Sequence, residues 1–194
     1  MSLKTKSYRI LLVSSNQTFT TSFTNLLSST RYQLAFTASN ISVAKRAIAE
    51  HNFDFVIINS PLPDESGIEF AIDISTTKQT VVLLLIRNEI HMRVHSKVID
   101  YGVFTLAKPI SKATLNFALS WMESARERLR LSEKKSQSIQ EKMTEIRLVN
   151  RAKWILISEL KMTEPHAHHY IEKQAMDRCV SKRKIAEDII KTYQ

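Results

Sequence analysis

Five short apolar runs alternate with amphipathic segments over the first 110 residues, and this alternation limits the folds open to the chain. The runs are Tyr8–Val13, Tyr32–Thr37, Phe55–Ile58, Val81–Ile86 and Phe104–Ala107. Strands that alternate with helices pair in parallel, and the helices then cover both faces of the sheet. We therefore predict a doubly wound α/β domain in this part of the chain.

Helical spacing of apolar residues fills the segments between these runs. Apolar side chains recur there three or four positions apart, as on the buried face of an amphipathic helix. The predicted helices are Phe19–Ser29, a segment around Val43–Ile48, Ile68–Ser75 and a segment around Ile90–Tyr101. Each of them connects two strands of the predicted sheet.

The rest of the chain is almost free of helix-breaking residues. Both glycines and three of the four prolines lie before residue 110, and Pro165 is the proline that follows. A stretch this poor in breakers predicts a largely helical C-terminal part. Thr163 and Ser181 are candidate N-caps for two short helices at its end, and Pro165 suits the first turn of the earlier one.

A heptad pattern runs along the first helix of this part. Its positions are Leu115, Ala118, Met122, Ala125, Leu129, Ser132, Ser136, Ile139, Met143 and Ile146. Alternating steps of three and four over several turns favour a coiled coil that pairs two chains. The alternative is a single amphipathic helix that packs on the N-terminal domain.

The charge of the chain points to a polyanion as partner. The formal net charge is +9 and the isoelectric point is about 9.7. Residues 1–110 carry a net charge of +3, whereas the shorter stretch of residues 111–194 carries +6. A nucleic-acid site is therefore expected in the C-terminal part.

The third apolar run and the loop after it resemble a response-regulator receiver domain. Asn59 follows Phe55–Ile58 and precedes the loop Ser60–Gly67. In that family the third strand ends in an aspartate, which attacks a phosphoryl donor as a nucleophile. The resemblance implies a flavodoxin-like receiver domain, which we place at residues 1–122.

The residues that carry out phosphorylation in receivers are mostly replaced. Receivers hold a divalent cation with paired acidic residues after the first strand, and neutral hydroxyls cannot replace two carboxylates around such a cation. The degenerate site consists of Ser14, Ser15, Asn59, Ile86 (or Arg87) and Lys108. Only the lysine is retained from the family pattern, so we expect no magnesium-dependent phosphorylation.

Three charged residues near this site have structural interpretations. Asp54 precedes the third strand, at its opposite end, and Asp64 is typical of a turn. The ammonium of Lys108 is expected to bond to Asn59 or to loop carbonyls. A protein partner or a ligand would then control this domain in place of phosphate.

The C-terminal segment resembles a second family. It contains Ala152-Lys153 before an apolar pair, then a helix with Ala167, then Ala175-Met176, then a closing helix with Ile185-Ala186. This order over residues 140–194 resembles the ANTAR domain, the three-helix RNA-binding module of transcription antitermination regulators. With a coiled-coil linker at residues 111–146, the chain resembles the amide- and nitrate-responsive antiterminators. The resemblance implies a cytoplasmic homodimer that captures paired stem-loops in nascent leader RNA.

The residues of this segment suit RNA independently of the resemblance. Phosphates attract cations, and unpaired bases need stacking planes and hydrogen-bonding edges. The predicted RNA-binding residues are Arg147, Asn150, Arg151, Lys153, Lys173, Arg178, Lys182 and Arg183. Trp154, Tyr170, His169 and the arginine guanidiniums could supply the stacking planes, but the helical spacing of Trp154 and Tyr170 favours core positions for those two. The acidic residues Glu172, Asp177, Glu187 and Asp188 are expected on other faces or paired with the cations.

Other classes of site are disfavoured by composition. Cys179 is the single cysteine, which excludes an internal disulfide, fits a reducing cytoplasm and suits a small buried residue. His166, His168 and His169 lack the ligands that would complete a familiar metal site. We therefore expect no metal and no cofactor, and the longest apolar run, Val81–Ile86, is too short to span a membrane.

Two other functions remain open at this point. A degenerate receiver on a helical dimer can serve as a protein-interaction adaptor, with the positive charge serving solubility. Short helical C-terminal segments also enter the major groove of DNA in some regulators. An enzyme is the least favoured class, because no acid–base pair or activated nucleophile survives in the sequence.

Overall fold

A computed structural model describes residues 7–27, 31–77 and 80–193, and a parallel sheet forms the centre of its N-terminal unit. The strands are β1 (Tyr8–Val13), β2 (Tyr32–Ala38), β3 (Phe55–Asn59), β4 (Val81–Arg87) and β5 (Phe104–Lys108). They lie in the order β2-β1-β3-β4-β5, and each pairs in parallel with its neighbours. The predicted doubly wound, flavodoxin-like architecture is thus confirmed.

The helices follow the predicted segments closely. They are α1 (Gln17–Leu27), α2 (Ile41–Glu50), α3 (Ile68–Thr77), α4 (Asn88–Val98), α5 (Lys112–Leu160), α6 (Glu164–Asp177) and α7 (Lys182–Thr192). The last residues of the predicted first helix, Ser28 and Ser29, lie outside the described residues. After α4 a short 3-10 turn, Ile99–Tyr101, ends at Gly102, whose φ of 73° is readily adopted by glycine. The chain divides near Arg130 into two compact units.

Helices cover both faces of the sheet because successive strand residues point to opposite sides. Val56 and Ile58 of β3 face the core shared with α2, α3 and α4. Phe55 and Ile57 of the same strand face the core shared with α1 and the first turns of α5. Every residue of β3 is buried, as expected for a central parallel strand.

The N-terminal part of the predicted coiled-coil seam lies inside this second core. Leu115, Ala118 and Met122 pack against the sheet and are 6%, 3% and 0% exposed. Apolar residues at this spacing can pack on a sheet as well as on a partner helix. The periodicity therefore did not distinguish packing on the domain from pairing of two chains. For this part of α5 the alternative, a helix packed on the domain, is correct.

Charged side chains connect α5 to the sheet of the N-terminal unit. The Asp54 carboxylate accepts hydrogen bonds from Arg126 Nε at 3.1 Å and Arg130 Nη2 at 2.8 Å. Tyr8 donates from its hydroxyl to Glu127 at 3.0 Å, and burial together with this bond raises its pKa. Asp54 therefore has a structural role away from Asn59, as its place before β3 indicates.

The C-terminal unit is a three-helix bundle built from the second half of α5 with α6 and α7. Its core residues are Val149, Ala152, Leu156, Ala167, Ile171, Ala175, Ile185, Ala186, Ile189 and Ile190. Ser181 caps α7 by accepting a hydrogen bond from the Lys184 amide at 3.3 Å. Thr163 occupies the N-cap of α6 without a side-chain bond. None of the helices in the described part of the chain combines the length and apolar character needed to cross a bilayer.

Candidate nucleic-acid interface and receiver site

The carboxyl ends of β1, β3 and β5 bring together Ser14, Asn59 and Lys108 of the predicted degenerate site. Asn59 Nδ2 donates to Ser14 Oγ at 3.1 Å, and Lys108 Nζ donates to Asn59 Oδ1 at 3.0 Å. The lysine also donates to the carbonyl oxygen of Ser60. Burial, reinforced by the charge of Arg87, holds the pKa of Lys108 below its ordinary value. The predicted bonding of Lys108 to Asn59 and a loop carbonyl is found.

The remaining positions of this site do not supply anionic ligands. Ser14 is buried, Ser15 is exposed, and Ile86 belongs to the apolar core beneath the site. The nearby carboxylate of Asp64 accepts hydrogen bonds from the Ile41 and Ser42 amides, both at 3.1 Å, and so caps α2. Across the described ranges, no three or more His, Cys, Asp or Glu side chains are placed to hold a metal ion.

Three of the predicted RNA-binding residues share one exposed face of α5. Arg147, Asn150 and Arg151 are spaced three and four residues apart, so their side chains are neighbours on the helix surface. Val149 and Ala152, which point into the bundle, lie on the other side of the helix. Among the residues that the structure describes, neither arginine forms an ion pair with a carboxylate.

A groove of about 270 Å³ brings a second set together. Asn150, Lys153, His168 and Lys182 are among its lining residues. Lys153 Nζ lies 2.6 Å from Glu164 Oε1, so much of its charge is offset. The hydrogen bond from Lys153 is the main cause that lowers the pKa of Glu164.

Lys182 of this groove is paired in the same way. Its ammonium contacts Glu172, and this hydrogen bond is the main cause that lowers the pKa of that carboxyl. His168 Nε2 also lies 3.3 Å from Glu172 Oε1. The groove therefore offers two lysines whose charges are already engaged by the protein.

The other three predicted residues have different partners and surroundings. Arg183 Nε pairs with Glu187 Oε1 at 2.8 Å. Arg178 lines a different groove, of about 190 Å³, together with Tyr170 and Asp188. Lys173 is exposed on α6. Asn150, Lys153 and Lys182 thus line one groove, and Arg178 lines another.

Three expectations about burial are wrong. Trp154 is 71% exposed and Tyr170 is 37% exposed, although helical spacing favoured the core for both. Cys179 is exposed in the turn between α6 and α7, where its φ is 51°. A helical projection that turns Ala152 and Leu156 toward the core would have indicated the exposure of Trp154, because it places Trp154 on the same face as Arg147 and Arg151.

The N-terminal unit has the strand order expected of a receiver domain, and a second unit is a helical bundle. Residues 10–120 match the response regulator receiver domain, and because this match covers more than half of the chain, the chain belongs to that family. Residues 137–190 match the ANTAR domain. This second match covers the bundle that contains Arg147 and Arg151.

Full-length similarity extends to a mycobacterial regulator. The transcriptional regulatory protein PdtaR of Mycobacterium tuberculosis strain H37Rv is 25% identical over 185 residues, which cover 95% of this chain and 90% of that protein. The chain thus combines a receiver domain with a match to the ANTAR domain, and over most of its length it is similar to this transcriptional regulatory protein.

Solved structures match the receiver unit. A signal receiver domain from Pseudomonas fluorescens Pf-5 has a TM-score of 0.58 and 26% identity, and the match covers 69% of this chain and 97% of that one. A structure of adenylate cyclase from Rhodopirellula baltica has a TM-score of 0.58 and 19% identity, with 69% and 98% covered. The second likeness concerns the fold alone.

Proposed function

We propose that the chain is an RNA-binding transcription antiterminator whose C-terminal bundle captures paired stem-loops in nascent leader RNA. The observation that carries this proposal is the exposed α5 face with Arg147 and Arg151. Within the described residues their charges are not engaged by carboxylates, so both are available to RNA phosphates. The match of this unit to the ANTAR domain supports RNA as the polyanion.

The other cations of the bundle have a secondary part in this proposal. Three of them are already paired with carboxylates, namely Lys153, Lys182 and Arg183. Each would have to give up its carboxylate to bind a phosphate, which lowers the net binding free energy that it contributes. Asn150 is uncharged and exposed beside the arginines, so its amide suits a base edge better than a phosphate. Affinity would then come from the arginines and discrimination from neighbouring groups.

Pairing of two chains through α5 belongs to the same proposal. Ile139, Met143 and Ile146 are 59%, 51% and 59% exposed and continue the heptad spacing beyond the receiver core. A partner helix would remove these side chains from water. The dimer presents two bundles, so the second hairpin binds at a high effective concentration.

Control without phosphorylation is the last part of the proposal. Asn59 is uncharged and already hydrogen-bonded on both sides, to Ser14 and to Lys108. The polar groups of the site satisfy one another in the absence of a phosphoryl group. A protein partner or a ligand is therefore the proposed input to this domain.

Restoring the acceptor alone is expected not to restore phosphorylation. Asn59→Asp supplies a carboxylate beside Lys108, but Ser14 and Ser15 still stand where the cation needs acidic ligands. We expect no stable mass increase in either the wild type or Asn59→Asp after incubation with acetyl phosphate and Mg²⁺. The triple variant with Ser14→Asp and Ser15→Asp serves as comparison, and stable labelling of the wild type would contradict the proposed control.

Capture of paired hairpins can be tested with selected RNA. A library of two-hairpin RNAs with randomised loops is selected for binding to the full chain. The affinities of the selected RNAs are then compared in gel shifts with those of single hairpins and of duplex DNA. We expect two hairpins to bind about 10²- to 10⁴-fold tighter than one. The solution mass should correspond to two chains per two-hairpin RNA.

Each alternative function has its own outcome in this experiment. An adaptor would bind all RNAs weakly and without preference for loop sequence. This weak binding would disappear when the overall positive charge of the chain is reduced. A DNA-binding regulator would prefer the duplex. Equal affinity for one and two hairpins would contradict paired capture.

A further inference from the structure

Trp154 is the most exposed of the large apolar side chains described near the end of α5. Leu156 is buried in the bundle, and Leu148, Ile155 and Ile157 are partly buried against the same core. Trp154, by contrast, is 71% exposed. A tryptophan that contributes so little to the core offers its ring to another molecule.

The neighbours of Trp154 indicate what kind of molecule that is. Arg151 lies three residues before it, Asn150 four and Arg147 seven, so all four side chains share one face of the helix. Both guanidiniums lack carboxylate partners in the described part of the chain. A flat apolar ring between free cations and an amide complements a nucleotide, which has a flat base and an anionic phosphate.

We propose that Trp154 is the stacking platform for an unpaired base of the RNA loop. This inference rests on the proposed function and assigns the contact that senses the base. Arg147 and Arg151 hold the phosphates that flank the stacked nucleotide, and Asn150 bonds to an edge of a loop base. The indole contributes equally at low and high salt, whereas the arginine contacts weaken as salt rises.

A second copy of the chain fits this face poorly. An isologous interface sets the same patch of two chains face to face, which would bring Arg147 and Arg151 close to their copies. Like charges brought together in this way oppose association. The exposed apolar residues Ile139, Met143 and Ile146 begin earlier on α5 and offer an apolar surface for pairing.

The chain is well suited to a fluorescence test because it contains two tryptophans. Trp121 belongs to the receiver unit, so Trp121→Phe leaves Trp154 as the sole indole reporter. Titration with a selected single-hairpin RNA should quench this fluorescence, because a stacked base contacts the ring. Heparin, which carries charge without bases, should bind with little quenching.

Affinity measurements on the full chain separate stacking from charge. Trp154→Ala should weaken binding of the hairpin by about 5- to 150-fold and leave the slope of affinity against salt unchanged. Trp154→Phe should retain most of the affinity, since a smaller ring still stacks. Trp121→Ala is the matched control and should bind as the wild type does.

The outcomes distinguish this inference from the proposed function. Tight RNA binding by the wild type with equal affinity for Trp154→Ala would overturn the stacking role and leave the antiterminator proposal standing. A lower solution mass for Trp154→Ala would identify a protein contact and also overturn it. Failure of the wild type to bind any hairpin would overturn both.

Discussion

Replacing Arg147 and Arg151 with glutamine should weaken the binding of a two-hairpin RNA by about 600-fold at 0.1 M salt. Each lost contact to a single-stranded phosphate removes about 0.7 from the slope of log affinity against log salt. Two lost contacts per hairpin therefore remove about 1.4, and over the decade between 1 M and 0.1 M salt this corresponds to a ~25-fold loss of affinity at 0.1 M. A dimer that holds two hairpins loses this factor twice. Filter binding across a salt series measures both the affinity and the slope.

The control for this variant removes the same charge from the same helix. Lys134 and Lys135 are exposed on α5, before the residues that form the bundle core. Their replacement with glutamine should change affinity by less than about threefold, because only the long-range field is altered. Equal losses for the two double variants would show that bulk charge, and not the face of Arg147 and Arg151, binds the RNA.

The arrangement of the receiver sheet was largely predictable because buried parallel strands have a strong local signature. Val81–Ile86 is apolar at every position, and the structure buries every one of these residues in a strand that has a neighbour on each side. The contact of Lys108 with Asn59 was also predictable, since both stand at carboxyl ends of parallel strands. The hydrogen bond from Asn59 to Ser14 was not predictable from the sequence, because it depends on how deeply Ser14, which follows β1, is buried.

The pairing of charges in the bundle was less accessible from sequence. Lys153 pairs with Glu164 across the turn from α5 to α6, and Lys182 pairs with Glu172 across the next turn. These contacts depend on how three helices pack, which neither charge counts nor helical spacing determines. Trp154 shows the same limit, because its spacing fits a core face until the positions of Ala152 and Leu156 define that face.

Replacing Ile171 with alanine should destabilise the C-terminal bundle by about 2–5 kcal/mol. Ile171 is 0% exposed and packs in the bundle core with residues of α5 and α7. The hydrophobic core of a domain with fewer than about 70 residues rarely supplies more than 3–5 kcal/mol of folding free energy. The loss expected for this variant is therefore comparable to the whole stability of the unit. Hydrogen exchange at the amides of α6 and α7 should therefore lose most of its protection, and RNA binding should fall with it.

The matched control lies on the same helix and faces water. Met176 is 77% exposed, so Met176→Ala should change the stability by less than about 0.5 kcal/mol. Amides of β3 and β4 provide an internal reference, because their core does not include Ile171. Unchanged exchange in α6 and α7 of Ile171→Ala, or equal effects of the two substitutions, would show that this isoleucine does not hold the bundle together. Loss of protection together with loss of RNA binding would instead tie capture to the folded three-helix unit.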